Sequence, residues 1–367
     1  MRNTVEFGAG QDARQGGDAG ADPAAVPRTV LLLPGQGAQR ERMAAGLHGR
    51  EPVFTRAVDE FLGLLGGEGE RLREVWLRPG PHTALDGAGT AQPLLFAVGH
   101  ALGRAVAARV PGAPAVLLGH SVGELAAACL AGVLPARTAA LFMSARARAL
   151  RTAPPGGMLA VAASVADVGP FLGAGVSVGA VNGPRQTVLC GAREPLARAG
   201  ARAGAAGLTV RALRSDLGFH GPSLSRAARA LRAALEPAGT VGKAAAGWSA
   251  PRLPLYSTRT ARLVTPAEAV RPAFWCDQIA LPVLYWPALR ALLAAEESPA
   301  RKLVLLDASP DRSLSTPARR HPSVRAGRVD VVGLLPSRTA GTDEDLRVFE
   351  SAMETLAAGR ADVPSGA

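Results

Sequence analysis

The run Ala115-Val116-Leu117-Leu118-Gly119-His120-Ser121-Val122-Gly123-Glu124 sets the architecture expected for this chain. A short apolar run stopped by glycine has the pattern of a buried strand, and a helix is expected over residues 124–131. Between them, Gly119-His120-Ser121-Val122-Gly123 has the G-x-S-x-G form. Its glycines permit a sharp, strained turn that lifts the serine hydroxyl out at the strand's end. The following helix aims its first free N–H groups, that of Val122 included, at any oxygen beside Ser121. The bland alternative is a serine N-cap with glycines for tight packing.

The same texture extends outward in both directions. Thr29-Val30-Leu31-Leu32-Leu33, stopped by Pro34-Gly35, has the pattern of a second buried strand, and further strands are expected at residues 253–257 and 303–306. Helical patterns lie at 54–65, 94–110 and 138–151. From Met158 to Leu213 the texture changes to short β-like pieces at 158–162, 175–180, 187–190 and 208–212, separated by two short helical stretches. That β-α-β-β-α-β spacing suggests a small inserted subdomain of ferredoxin-like type. The expected fold is α/β, with a mostly parallel core sheet over 28–153 and 218–354 and the insert over 154–217. Residues 1–27 are low in complexity and read as a disordered extension, and 355–367 as a flexible tail.

Composition narrows the function classes. The 367 residues are 48% hydrophobic and 19% charged, enough for a sizeable core. No run of about 18 uncharged apolar residues suggests a membrane span, and no secretion signal is seen, so a cytoplasmic protein is expected. Cys129, Cys190 and Cys276 lie too far apart for a CxxC metal pair or a disulfide framework, so no metal is expected. The formal charge is +11, yet only Lys243 and Lys302 are lysines; the arginine excess matches GC-rich codon usage. Scattered arginines and 4% aromatics offer no stacking platform for nucleic acid; a small acidic protein is the better partner.

A serine nucleophile needs a base, and histidines occur at 48, 82, 100, 120, 220 and 321. His120 adjoins the serine on a turn where neighbours point apart. His220, in Leu217-Gly218-Phe219-His220-Gly221-Pro222, lies where the insert would return to the core. By sequence alone, a loop histidine is more often solvent-exposed than catalytic.

Several segments together carry a resemblance. Pro34-Gly35-Gln36-Gly37-Ala38-Gln39, Thr90-Ala91-Gln92-Pro93, Gly119–Glu124, Asn182-Gly183-Pro184, Phe219-His220, Tyr256-Ser257-Thr258 and Ser309-Pro310 stand in the order found in malonyl-CoA:acyl-carrier-protein acyltransferases. The chain resembles that family, including the acyltransferase domains of polyketide synthases, over roughly residues 29–315. The resemblance implies a hydrolase-like core, Ser121 as nucleophile and His220 as its base. It further implies an oxyanion hole from the Gln36 and Val122 N–H groups, and a histidine oriented by a backbone carbonyl, with Gln278 of Trp275-Cys276-Asp277-Gln278 at that position. Arg146 would bind the substrate carboxylate. Helix geometry agrees: at about 100° per residue Arg146 shares an apolar arc with Phe142, Ala145 and Ala149. A guanidinium there needs a partner, either a bidentate carboxylate of substrate or an internal Asp or Glu.

The resemblance implies acyl selectivity at Gln92 and at Leu217, Gly218 and Phe219. Malonyl-selective polyketide members usually read HAFH here and methylmalonyl-selective ones YASH. Phe219 favours malonyl because its ring crowds an α-methyl branch, whereas Leu217 and Gly218 match neither group and are expected to widen the pocket. Asp216 and Gly221 also depart from the pattern. The implied activity is ping-pong transfer of an acyl group, malonyl first, from acyl-CoA to the phosphopantetheine thiol of an acidic acyl carrier protein met transiently in trans. No permanently bound cofactor and a monomer are expected. Two alternatives keep a serine ester: transfer of a larger or aminoacyl-type group between two carrier proteins, and thioester hydrolysis with Asp167 or Asp216 as a third member. A non-catalytic carrier-binding module is expected to lack Ser121 or His220, and both are present.

Overall fold

The computed structural model describes residues 27–80, 85–235, 247–338 and 341–361. The strands in chain order are β1 (Arg28–Leu33), β2 (Val116–Gly119), β3 (Gly157–Val161), β4 (Val176–Gly183), β5 (Gln186–Gly191), β6 (Val210–Ala212), β7 (Leu255–Ser257), β8 (Arg262–Leu263), β9 (Leu303–Asp307) and β10 (Val329–Gly333). One sheet has the order β10-β9-β1-β2-β7-β8 and is parallel except for β8, which runs antiparallel to β7. The other has the order β4-β5-β3-β6 and is antiparallel, the strand order of a ferredoxin-like unit.

The central strands β1, β2 and β9 of the larger sheet are buried on both faces, which explains their apolar runs. Leu31, Leu33 and Leu117 pack into one core, while Val30, Leu32, Val116 and Leu118 pack into the other. This alternation is the two-residue period of a strand applied to both faces. The helices α1 (Pro52–Leu64), α2 (Gly67–Leu77) and α3 (Ala88–Arg109) carry the chain from β1 to β2. After β2 come α4 (Val122–Leu130) and α5 (Ala136–Arg151), and then the small sheet with α6 (Val165–Val168) and α7 (Arg193–Ala205). The small sheet has its own core, built on Val161, Val168, Leu189, Leu196 and Ala203. It docks on the larger unit where the Val181 N–H donates to the Val283 carbonyl at 2.8 Å and the Val283 N–H to the Gly179 carbonyl at 2.9 Å.

The structure departs from the sequence expectation in several places. Residues 355–361, expected in a flexible tail, continue the helix Thr342–Ala361, because Phe349, Ala352, Met353 and Leu356 recur at helical spacing and bury on the core. Strands β8 and β10 and the helices α2 and Tyr285–Glu296 were not expected. Residues 1–26 of the proposed N-terminal extension and 362–367 of the tail lie outside the described residues. No helix among the described residues is long and apolar enough to cross a membrane.

Candidate active site

The carboxyl ends of β1, β2 and β7 meet at one edge of the parallel sheet, where ligand sites of such sheets form. Ser121 sits between β2 and α4 with φ 52° and ψ −120°, a conformation that costs a non-glycine residue energy and is held only by its surroundings. What holds it is close approach. A Cβ on Gly123 would lie 2.2 Å from the Leu33 carbonyl oxygen, and one on Gly119 2.3 Å from the Glu124 nitrogen. The His120 N–H donates to that Leu33 carbonyl at 2.8 Å. The Ser121 turn is therefore pressed against the end of β1, beside the turn that carries Gln36.

His220 enters from the far side, after β6, with φ 64°. Its backbone N–H donates to the Ile279 carbonyl at 2.8 Å. Its Nδ1 lies 2.9 Å from the Gln278 carbonyl and 3.1 Å from that of Leu281. Both neighbours only accept, so Nδ1 carries the proton and Nε2 is left as an acceptor. Nε2 stands 2.8 Å from Ser121 Oγ, so the hydroxyl donates to it. Burial, with Arg146 and His120 nearby, pulls the imidazole pKa down to about 3 and keeps the ring neutral.

No carboxylate is hydrogen-bonded to His220 among the described residues. Asp167 is exposed in a capping box with Ser164, and Asp216 is exposed and paired with Arg193 at 2.9 Å. A carboxylate does stand behind the turn, however. Glu124 is buried, and its Oε2 accepts from the Thr258 N–H at 3.2 Å, the Thr258 hydroxyl at 2.7 Å and Gln278 Nε2 at 3.1 Å. Gln278 Nε2 also donates to the Ser121 carbonyl at 3.0 Å. Gln278 thus touches both partners: its side chain braces the serine turn and its carbonyl orients the histidine.

Arg146 lies on α5 and is 1% exposed. Its Nε donates to Gln92 Oε1 at 2.6 Å, while Nη1 and Nη2 have no hydrogen-bond partner. Burial lowers its pKa to about 10, which leaves it charged at neutral pH. The internal Asp or Glu partner weighed from the sequence is absent among the described residues. Gln92 Nε2 in turn donates to Gln36 Oε1 at 2.8 Å. Val122, as the first residue of α4, has an amide without an acceptor in its own helix.

The 217–219 segment divides. Leu217 and Phe219 line a cavity of about 280 Å³ together with Gln36, Leu150 and Arg151. An adjoining cleft of about 660 Å³ shares Leu217, Leu150 and Arg151 and adds Arg71 and Arg148. Gly218 does not widen this space as expected from the sequence. A Cβ there would lie 3.1 Å from both N and O of Gly191, so the missing side chain serves a backbone crossing between the insert's return and β5.

Sequence reasoning gave no role to Glu124, Thr258, Asn182 or the Leu281 carbonyl. His120 Nε2 lies 2.9 Å from Asn182 Oδ1 on β4, tying the Ser121 turn to the insert. The first three were quoted within motif segments; Glu124 heading the apolar run Leu125–Leu130 was a signal, whereas Thr258 among Ser257, Arg259 and Thr260 gave none. A backbone carbonyl carries no residue-type signal at all. Among the described residues no group of three or more His, Cys, Asp or Glu could hold a metal ion. His82 lies outside them.

Fold and site together define an α/β protein with a serine–histidine pair at the carboxyl edge of its sheet and a buried, half-satisfied arginine beside it. The model of the acyl transferase domain matches residues 30–362, and the chain belongs to that family. It is 35% identical over 319 residues to a component of the phenolphthiocerol/phthiocerol polyketide synthase of Mycobacterium tuberculosis, a match covering 86% of this chain and 20% of that protein. The chain thus spans about a fifth of the length of that relative. Among solved structures, the acyltransferase domain of the second module of the salinomycin polyketide synthase is 30% identical with a TM-score of 0.75, covering 89% of this chain and 72% of that one. The acyl transferase domain of SpnD, in complex with 2-(pent-4-yn-1-yl)malonyl, is 27% identical with a TM-score of 0.80, covering 92% and 78%.

Proposed function

We propose that this chain moves a carboxylated acyl group, malonyl by preference, from CoA to the phosphopantetheine thiol of an acidic acyl carrier protein through an ester on Ser121. The observation that carries the reading is the Arg146 guanidinium, buried and charged with both terminal nitrogens unpaired. An unpaired buried charge is costly, and a planar carboxylate offers two acceptors that match the guanidinium fork.

The geometry supports the following steps. Ser121 Oγ attacks the thioester carbonyl as its proton passes to His220 Nε2. The developing oxyanion takes hydrogen bonds from the Gln36 and Val122 amides, each worth about 3 kcal/mol in such sites. The C–S bond breaks, and His220 returns the proton to the departing thiolate. In the second half the phosphopantetheine thiol gives its proton to His220 and attacks the ester; the C–Oγ bond breaks and His220 passes that proton to Ser121 Oγ, restoring both groups. No cofactor takes part in this scheme, and a monomer suffices for it. Support for a carboxylated substrate also comes from SpnD, whose acyl transferase domain holds a substituted malonyl group. Hydrolysis is disfavoured because neither Asp167 nor Asp216 reaches His220.

Intact-protein mass spectrometry after mixing with malonyl-CoA, methylmalonyl-CoA or acetyl-CoA tests the proposal. A malonyl adduct that maps to Ser121, passes to a carrier protein and is lost in Ser121→Ala is expected. An adduct formed only from an acyl-loaded carrier would shift the donor to a carrier protein, and an adduct surviving in Ser121→Ala would overturn the mechanism.

A further inference from the structure

We infer that Gln92 is a positioning residue that couples carboxylate recognition at Arg146 to the oxyanion-binding turn at Gln36, so that a carboxylated acyl group reacts faster and is not merely bound tighter. The inference rests on the proposed function, in which Arg146 receives the carboxylate.

Three side chains form a single file. Arg146 Nε donates to Gln92 Oε1 at 2.6 Å, and Gln92 Nε2 donates to Gln36 Oε1 at 2.8 Å. The direction of the file is fixed at one end. A guanidinium has donors only, so the Gln92 carbonyl must face it and the Gln92 amide nitrogen must point the other way. Gln36 therefore presents its oxygen inward. Gln92 and Arg146 are buried on the long helix α3 and on α5, whereas Gln36 is half-buried in the turn after β1 and neighbours the exposed Gly37 with φ 107°. The stiff end of the file is the arginine and the compliant end is the turn.

Without substrate, Nε is the guanidinium's single hydrogen-bonded nitrogen, and Nη1 and Nη2 are unpaired. A carboxylate arriving at those two nitrogens adds two charge-assisted bonds and fixes the plane of the guanidinium. Its Nε then holds Gln92, and Gln92 holds the side chain of Gln36, the residue whose backbone N–H the proposed function assigns to the oxyanion. Hydrogen bonds in such a file strengthen one another in a low-dielectric interior. An acyl group without a carboxylate leaves the file loose and meets a less well-placed donor.

The test is single-turnover acylation of Ser121 by malonyl-CoA and by acetyl-CoA, reading the saturating rate and the half-saturation concentration separately. Gln36→Ala keeps its backbone amide and the Arg146–Gln92 contact but cuts the file. It is expected to lower the saturating malonyl rate about tenfold or more relative to whatever it does to the acetyl rate, with the half-saturation concentration for malonyl-CoA within about threefold of the parent. Gln92→Ala should show the same rate loss, and the double variant no further loss, as members of one unit behave. Equal losses for malonyl and acetyl, or a change confined to the half-saturation concentration, would overturn the coupling while leaving the proposed function intact. Failure of the parent chain to accept any carboxylated acyl-CoA while accepting acetyl-CoA would overturn both. Because Gln36 is half-buried, its variant decides the matter even where Gln92→Ala does not fold.

Discussion

His220 is where local chemistry makes its sharpest demand. The base of the proposed mechanism must be unprotonated, and burial together with the Arg146 charge holds the His220 pKa down at about 3, well below the ordinary 6.5. In the free enzyme the acid limb of kcat/KM should therefore lie below about pH 5, not near the usual histidine value. Arg146→Ala removes a positive charge from beside the ring, so protonation becomes easier and the limb should move to higher pH. Acetyl-CoA is the substrate for this comparison, since it does not use the carboxylate site. A limb unmoved by Arg146→Ala would show that desolvation alone sets the pKa. At this scale residue type showed the serine in its glycine frame and the arginine on an apolar arc, whereas a histidine in a loop reads as exposed from residue type and His220 is instead buried against Ser121. The sequence misled at Gly218, because what a missing Cβ accomplishes depends on which backbone crosses it, here that of Gly191 on a separate strand.

Elements place these residues, and the contact of α4 with β1 is a tight joint. Gly123→Ala would force a Cβ to within 2.2 Å of the Leu33 carbonyl oxygen, so helix and strand must separate. Overpacking of this kind costs about 1–3 kcal/mol. Chemical denaturation should register that loss, and the acylation rate should fall with it because Ser121 moves relative to Gln36. A Gly123→Ala chain with parental stability and rate would show that the joint has slack. The doubly buried strands β1, β2 and β9 were legible as continuous apolar runs, since a strand covered on both faces has no polar side to alternate. Strand β10 was not: it stands at the sheet's edge, and Asp330 interrupts its five residues. Strand β8, with two residues, is created by pairing with β7 and has no pattern of its own.

The whole molecule carries a formal charge of +11, and the cleft beside the site is rimmed by Arg71, Arg148 and Arg151. Attraction between such a surface and an acidic carrier protein is screened as ionic strength rises, with a Debye length of about 8 Å at 0.15 M salt. Raising salt from about 0.05 to 0.3 M should increase the KM for the carrier several-fold while leaving transfer to free pantetheine nearly unchanged. Equal responses of the two acceptors would place docking on apolar contacts instead.

Ser121 and His220 touch although 99 positions separate them in the chain, and the entire antiparallel sheet is strung between them. During synthesis the nucleophile therefore emerges from the ribosome long before its base. Closing so long a loop is entropically slow, and it rewards the chain only after the insert has formed and seated against the Val283 segment. The Ser121–His220 pair can therefore meet only once the chain on both sides of the insert has come together.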